Sequence, residues 1–192
     1  MESLFVSTGV VALAEMGDKT QLLAFLLAAR FKKPLPIVLG ILLATLANHG
    51  LAGALGAWIT RVTGPEVLRW GLGLSFIGMA VWTLIPDKIE EEEAQVAQRL
   101  GVLGATLITF FLAEMGDKTQ IATIAMAAHY ADPLWVVVGT TLGMLIADVP
   151  AVFVGDRLAD KIPMRLVHTI AALIFAALGV ATLLGAGASL GF

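Results

Sequence analysis

The sequence predicts an all-α integral membrane protein, with six transmembrane helices arranged as two inverted three-helix repeats. Three observations carry this expectation. Hydrophobic residues make up 58% of the 192 and charged residues only 14%, with a mean hydropathy of +0.90. A soluble domain carries about 25% charged residues, so this chain has too little polar surface to coat a water-facing globule. Six apolar segments also reach the roughly 20 residues that a spanning helix needs. Finally, the chain repeats itself at an offset of 99 residues, since LAEMGDKTQ occurs at Leu13–Gln21 and again at Leu112–Gln120.

The first segment, about 4–29, lacks a basic leader and carries charge inside its apolar run, so it reads as a retained helix and not a signal peptide. The second, about 35–60, follows Pro34 and Pro36 and has Asn48 and His49 at its centre. The third, about 67–85, is set off by Gly64-Pro65 and Pro86. The fourth, about 101–128, holds the second copy of the motif, and the fifth, about 134–157, follows Pro133 and carries Asp148. The sixth, about 166–187, follows Pro163. Backbone groups in lipid must be satisfied locally, and the segments lack the alternation of barrel strands, so they are helices. Trp58, Trp70, Trp82 and Trp135 sit near predicted helix ends, where amphipathic rings prefer the membrane interface.

The offset of 99 (114 − 15) holds without a gap along the chain, pairing Pro34 with Pro133, Gly40 with Gly139, and Phe76 with Phe175. Residues 1–86 form the first repeat and residues 101–192 the second. The acidic stretch 87–100 joins them as a solvated cytoplasmic linker. An odd number of crossings per repeat inverts the second unit, a common plan for secondary transporters. The first, third and fifth loops hold eight Lys and Arg residues (Arg30, Lys32, Lys33, Lys88, Arg99, Arg157, Lys161, Arg165) against Arg61 and Arg69 in the second loop. That bias places the odd loops in the cytoplasm and both termini outside.

Glu15, Asp18 and Lys19 lie near the middle of the first helix, and Glu114, Asp117 and Lys118 near the middle of the fourth. Each central charge costs roughly 2.5–3.5 kcal/mol on insertion scales, so it needs compensation. On a continuous helix, Glu and Asp three apart share a face, and each Lys four residues after its Glu could pair with it. Inversion brings the two acidic faces together at one site lined by Glu15, Asp18, Glu114 and Asp117. Thr20-Gln21 and Thr119-Gln120 add oxygen donors one turn on, and Asn48 and Asp148 contribute from the second and fifth helices. Gly17 and Gly116 stand for either a helix break that frees backbone carbonyls or close packing. Gly139-x-x-x-Gly143, mirrored by Gly40 and Ala44, suits close helix approach. Met16 and Met115 read as packing, and His49 as a satisfied core histidine outside the ligand set.

The donors are oxygen throughout, with no cysteine, a set that hard divalent cations such as Ca²⁺, Mg²⁺ and Mn²⁺ prefer. When the cation leaves, crowded carboxylates take up protons, because like charges disfavour ionisation. Cation and protons then compete for one set of oxygens, the minimum requirement for antiport. No cofactor is called for, and no basic patch with interleaved aromatics suggests nucleic acid.

Both motif copies fit E-x-G-D-[KR]-[TS], a signature that resembles that of the Golgi and bacterial manganese/calcium transporters, relatives of the cation/Ca²⁺ exchangers. The resemblance covers the whole chain. It implies exchange of Mn²⁺ or Ca²⁺ for protons, with the acids of both signatures as cation ligands, and, as in similar bacterial members, manganese export across a bacterial inner membrane. The lipid bilayer and the two substrate ions are then the partners. Alternatives are an exporter of a small organic solute, a passive channel, or a membrane polyprenyl-pyrophosphate phosphatase. The last would need arginine at its centre, whereas every arginine here lies in a loop or at a helix end.

Overall fold

The computed structural model describes residues 1–85, 100–154 and 164–185. All but Leu100 of the expected acidic linker, and the loop carrying Arg157 and Lys161, lie outside them. The described residues form eight α-helices and no strand: α1 (Glu2–Glu15), α2 (Lys19–Phe31), α3 (Pro34–Val62), α4 (Pro65–Thr83), α5 (Gly101–Glu114), α6 (Lys118–Tyr130), α7 (Pro133–Val154) and α8 (Met164–Leu183).

Eight helices stand where six segments were expected because the first and fourth segments are each broken at the repeated motif. Gly17 and Gly116 take φ of 81° and 77°, a left-handed conformation that glycine adopts without a Cβ penalty. A Cβ at Gly116 would meet nothing within 4 Å. Of the two expectations for these glycines, the backbone break is therefore the one realised. The prolines act as the sequence suggested, starting α3, α4 and α7 at the first helical turn, where a missing N–H costs nothing. Among the described residues, α3 and α7 are the two helices that by length and composition alone could cross a membrane.

Each of α5 to α8 begins 99 positions after its counterpart among α1 to α4, from 101 − 2 to 164 − 65. α2 and α6 also end alike, with Lys32 at φ 52° and Ala131 at φ 50°, again 99 apart (131 − 32). The two halves interleave. α1 packs chiefly on α7, α5 on α3, and α4 on α8, while α3 and α7 also pack against each other. Small residues make those approaches possible. A Cβ on Gly143 would come within 2.7 Å of the Thr8 carbonyl on α1, and one on Gly40 within 2.7 Å of Thr106 Cβ on α5. Phe76 and Phe175, equivalent by the same offset, stack on each other at 6.5 Å between α4 and α8.

The core is mainly apolar but holds many polar and charged side chains. Glu15, Asn48, His49, Glu114 and Asp148 are all 0% exposed. The outer surface is apolar instead, with Phe5, Leu35, Leu51, Leu134, Phe153 and Leu173 more than half exposed. That distribution suits a hydrocarbon surround and not water.

Replacing Gly116 by alanine tests the break directly. The space is open, so the penalty is conformational, about 1–2 kcal/mol for a left-handed non-glycine residue. The melting temperature of the detergent-purified protein should fall; an unchanged value would mean that the motif does not require this backbone.

Candidate metal centre

The two breaks put the functional side chains at helix ends. Glu15 and Glu114 are the last residues of α1 and α5, and Asp18 and Asp117 are the N-cap residues of α2 and α6. Neither aspartate spends its side chain on capping. Gln21 and Gln120 do related work in reverse: each Oε1 accepts the N–H of the motif glycine, Gly17 at 2.9 Å and Gly116 at 2.8 Å, a variant of the capping box. The negative ends of the α1 and α5 dipoles and four carboxylates thereby gather in one buried region.

Glu15, Glu114 and Asp117 each offer an oxygen within 4.8 Å of the others. Atoms that share one ion with bonds of about 2.3–2.6 Å lie at most about 5 Å apart, so a single cation could bridge all three. Threonine orients the glutamates. Thr20 donates to Glu15 Oε2 at 2.7 Å and Thr119 to Glu114 Oε2 at 3.0 Å. Oε1 of each glutamate has no hydrogen-bond partner among the described residues. Asp148 is also fully buried, with neither carboxylate oxygen hydrogen-bonded among the described residues. It stands near enough to Glu15 and Glu114 for its charge to act on both, though outside the 4.8 Å group.

The lysines correct the sequence expectation. With the helix broken between them, Glu15 and Lys19 do not share a helix, nor do Glu114 and Lys118, so the four-residue spacing no longer implies a pair. Glu and Asp likewise do not share a helix face. The lysines pair across the repeats instead. Lys118 Nζ lies 2.9 Å from Asp18 Oδ1, with both side chains 1% exposed, and Lys19 Nζ lies 3.9 Å from Asp117 Oδ1, with Lys19 21% exposed. One cross-repeat bridge is short and buried; its counterpart is longer and more exposed.

Three residues expected as ligands are engaged elsewhere in this arrangement. Gln21 Nε2 donates to the Ala147 carbonyl on α7 at 2.8 Å. Gln120 Nε2 donates to Asn48 Oδ1, and Asn48 Nδ2 to the Phe111 carbonyl at 3.3 Å. Their amides tie the broken helices to α3, α5 and α7. Of the methionines read as packing, Met115 is 57% exposed. The Met16 carbonyl, released by the break, meets His168 Nε2 of α8 at 2.7 Å. Nothing in the sequence marks that contact, since the repeat equivalent of His168 is Arg69 (168 − 99). His49 is not a satisfied core histidine. It is fully buried, its Nε2 lies 3.9 Å from Glu114 Oε2, and neither ring nitrogen has a hydrogen-bond partner among the described residues.

The family model described as "Divalent cation/proton antiporter GDT1" matches residues 3–91 and 102–189. The chain belongs to the GDT1 family. A Vibrio cholerae relative, provisionally named a manganese exporter, is 52% identical over 183 residues, covering 95% of this chain and 90% of the relative. GDT1-like protein 3 of Oryza sativa subsp. indica is 32% identical over 207 residues, covering 94% of this chain and 73% of that protein. GDT1-like protein 3 of Arabidopsis thaliana is 29% identical over 208 residues, covering 94% and 70%. No solved structure matches the chain. GDT1 proteins are divalent cation/proton antiporters, so this chain is a transporter and not an enzyme, and the phosphatase alternative is set aside.

Removing one member of a buried ion pair costs roughly 3–5 kcal/mol because the other charge is left uncompensated. Lys118→Met should therefore lower thermal stability more than Lys19→Met, and adding Asp18→Asn should recover part of the loss. A double-mutant cycle that shows coupling of Lys118 to Glu114, and none to Asp18, would refute the crossed pairing.

Proposed function

We propose that this GDT1 protein exports a divalent cation from the cytoplasm in exchange for protons, with Mn²⁺ as the first cargo and Ca²⁺ as the second. In this reading Glu15, Glu114 and Asp117 form the heart of the cation site. The observation that carries it is the buried group of three carboxylates within 4.8 Å, set at the ends of two broken helices. Manganese is favoured by the name of the Vibrio cholerae relative.

Asp18 and Asp148 complete the acidic set, with Thr20 and Thr119 as positioning groups on the two glutamates. Gln21, Asn48 and Gln120 hold the breaks in place and are available as oxygen ligands when their present hydrogen bonds exchange. Lys19 and Lys118 act as tethered cations, neutralising an aspartate of the opposite repeat. Protons and metal compete for the same carboxylate oxygens, so loading with one releases the other.

The same reading places the chain in a bacterial inner membrane as six spans in two inverted repeats, residues 1–86 and 101–192, joined by the cytoplasmic linker 87–100. In this topology α1 with α2, and α5 with α6, each make one interrupted span, and both termini are extracytoplasmic. The shared helix starts at the 99-residue offset, the apolar exterior and the Lys/Arg bias of the loops support it. Alternating access then follows from rocking one interleaved half against the other.

Reconstituted into liposomes, the protein should move Mn²⁺ in response to an imposed pH gradient. Glu15→Gln and Glu114→Gln should each reduce that flux to the level of empty liposomes while leaving the elution profile of the purified protein unchanged. Apparent Mn²⁺ affinity should fall as the pH on the binding side is lowered, as competition requires. Normal gradient-driven transport by both variants would remove the carboxylate cluster from the mechanism.

A further inference from the structure

Through the motif the two repeats duplicate one another, but the central helices differ: Asn48 and His49 on α3 stand where α7 has Ala147 and Asp148. Position 49 on α3 is histidine and its equivalent on α7, position 148, is aspartate (148 − 49 = 99). Both side chains are fully buried. Neither ring nitrogen of His49 has a hydrogen-bond partner among the described residues, and a buried imidazole left so carries a desolvation penalty that ordinary packing does not offset.

The other two histidines have partners. His129 makes edge-on ring contacts with Phe76 and Tyr130 at 5.9 and 4.8 Å, and His168 is hydrogen-bonded to the Met16 carbonyl. His49 alone of the three approaches a member of the carboxylate cluster, 3.9 Å from Glu114 Oε2, though it lies outside the 4.8 Å group of Glu15, Glu114 and Asp117. Two ligand atoms at that separation can share one ion, since bonds of about 2.0–2.6 Å allow separations up to twice their length.

We propose that His49 supplies a nitrogen ligand to the transported cation and thereby ranks first-row transition ions such as Mn²⁺ above Ca²⁺. This rests on the reading of the Glu15–Glu114–Asp117 cluster as the cation site. Neutral imidazole is the commonest protein ligand for transition metals. Calcium fills its shell with six to eight oxygens and gains little from a nitrogen. A site of carboxylates alone would hold both ions on similar terms. One imidazole at its edge makes the terms unequal, and a bound metal would give one of its nitrogens a partner.

The test is pulsed electron paramagnetic resonance of Mn²⁺ bound to the purified full chain, which detects nitrogen directly coordinated to the metal. The wild type should show a ¹⁴N coupling that converts to ¹⁵N when histidine is isotope-labelled. The coupling should survive His129→Gln with His168→Gln, a chain in which His49 is the one histidine left of three. It should vanish in His49→Gln, with Mn²⁺ affinity down roughly 10–100-fold, at least the loss seen for outer-shell partners of metal ligands, while Ca²⁺ affinity holds or rises. Should His49→Gln not fold, the labelled double variant answers alone. Mn²⁺ that binds, is lost with Glu114→Gln, and shows no histidine coupling would overturn the role of His49 while leaving the carboxylate site standing. Mn²⁺ binding unchanged in Glu114→Gln would instead overturn the carboxylate site, and the role of His49 with it.

Discussion

A charge taken out of water must find its counter-charge within the protein, and the polar interior of this molecule is organised around that constraint. Lys118 and Asp18, both 1% exposed, meet at 2.9 Å, and each comes from a different repeat. Such a pair gains little net stability over an apolar substitute, because desolvation offsets much of the attraction. What it provides is register. The described ion pairs of both motif lysines run to an aspartate of the opposite repeat, so the two halves hold each other in place.

The break makes that crossing possible. Without the left-handed glycines, Glu15 and Lys19 would lie one turn apart on a single helix and could satisfy each other locally. With it, glutamate ends one helix, aspartate caps the next, and the lysine side chain is carried toward the opposite repeat. Gln21 and Gln120 hold the glycine N–H groups that the break would otherwise leave unpaired. Thr20 and Thr119 fix one oxygen of each glutamate, and the other oxygen has no hydrogen-bond partner among the described residues. The conformation, the hydrogen bonds and the charge distribution all follow from one nine-residue motif used twice.

The departures from symmetry are as informative as the symmetry. The buried Lys118–Asp18 bridge and the looser Lys19–Asp117 bridge, with its lysine 21% exposed, make the two sides of the site unequal. Exchange of these two geometries is the kind of change that a rocking of the halves would produce. The histidine and aspartate at equivalent positions 49 and 148 break the symmetry chemically as well. A transporter built from repeats can thus reuse one framework for conformational change and place the chemistry of selectivity where the copies differ.

The sequence by itself determined the helical class, the 99-residue repeat, the helix starts at Pro34, Pro65 and Pro133, and the acidic residues that converge, because hydropathy, proline and direct repetition are local and additive signals. The tertiary structure decided the rest. Whether Gly17 and Gly116 break a helix or pack one depends on what surrounds them, and the lack of any neighbour near a Cβ at Gly116 is not written in the motif. Once the break is present, spacing along the chain ceases to predict pairing, which is why the lysines change partner. The glutamine amides were legible as oxygen donors, but not as already engaged with backbone and Asn48. His49 was visible at the centre of its helix, yet only the packed structure puts it beside Glu114 with no hydrogen-bond partner for its nitrogens among the described residues. A side chain's neighbours across helices are a property of three-dimensional packing, and that packing alone distinguishes a core histidine from a candidate ligand.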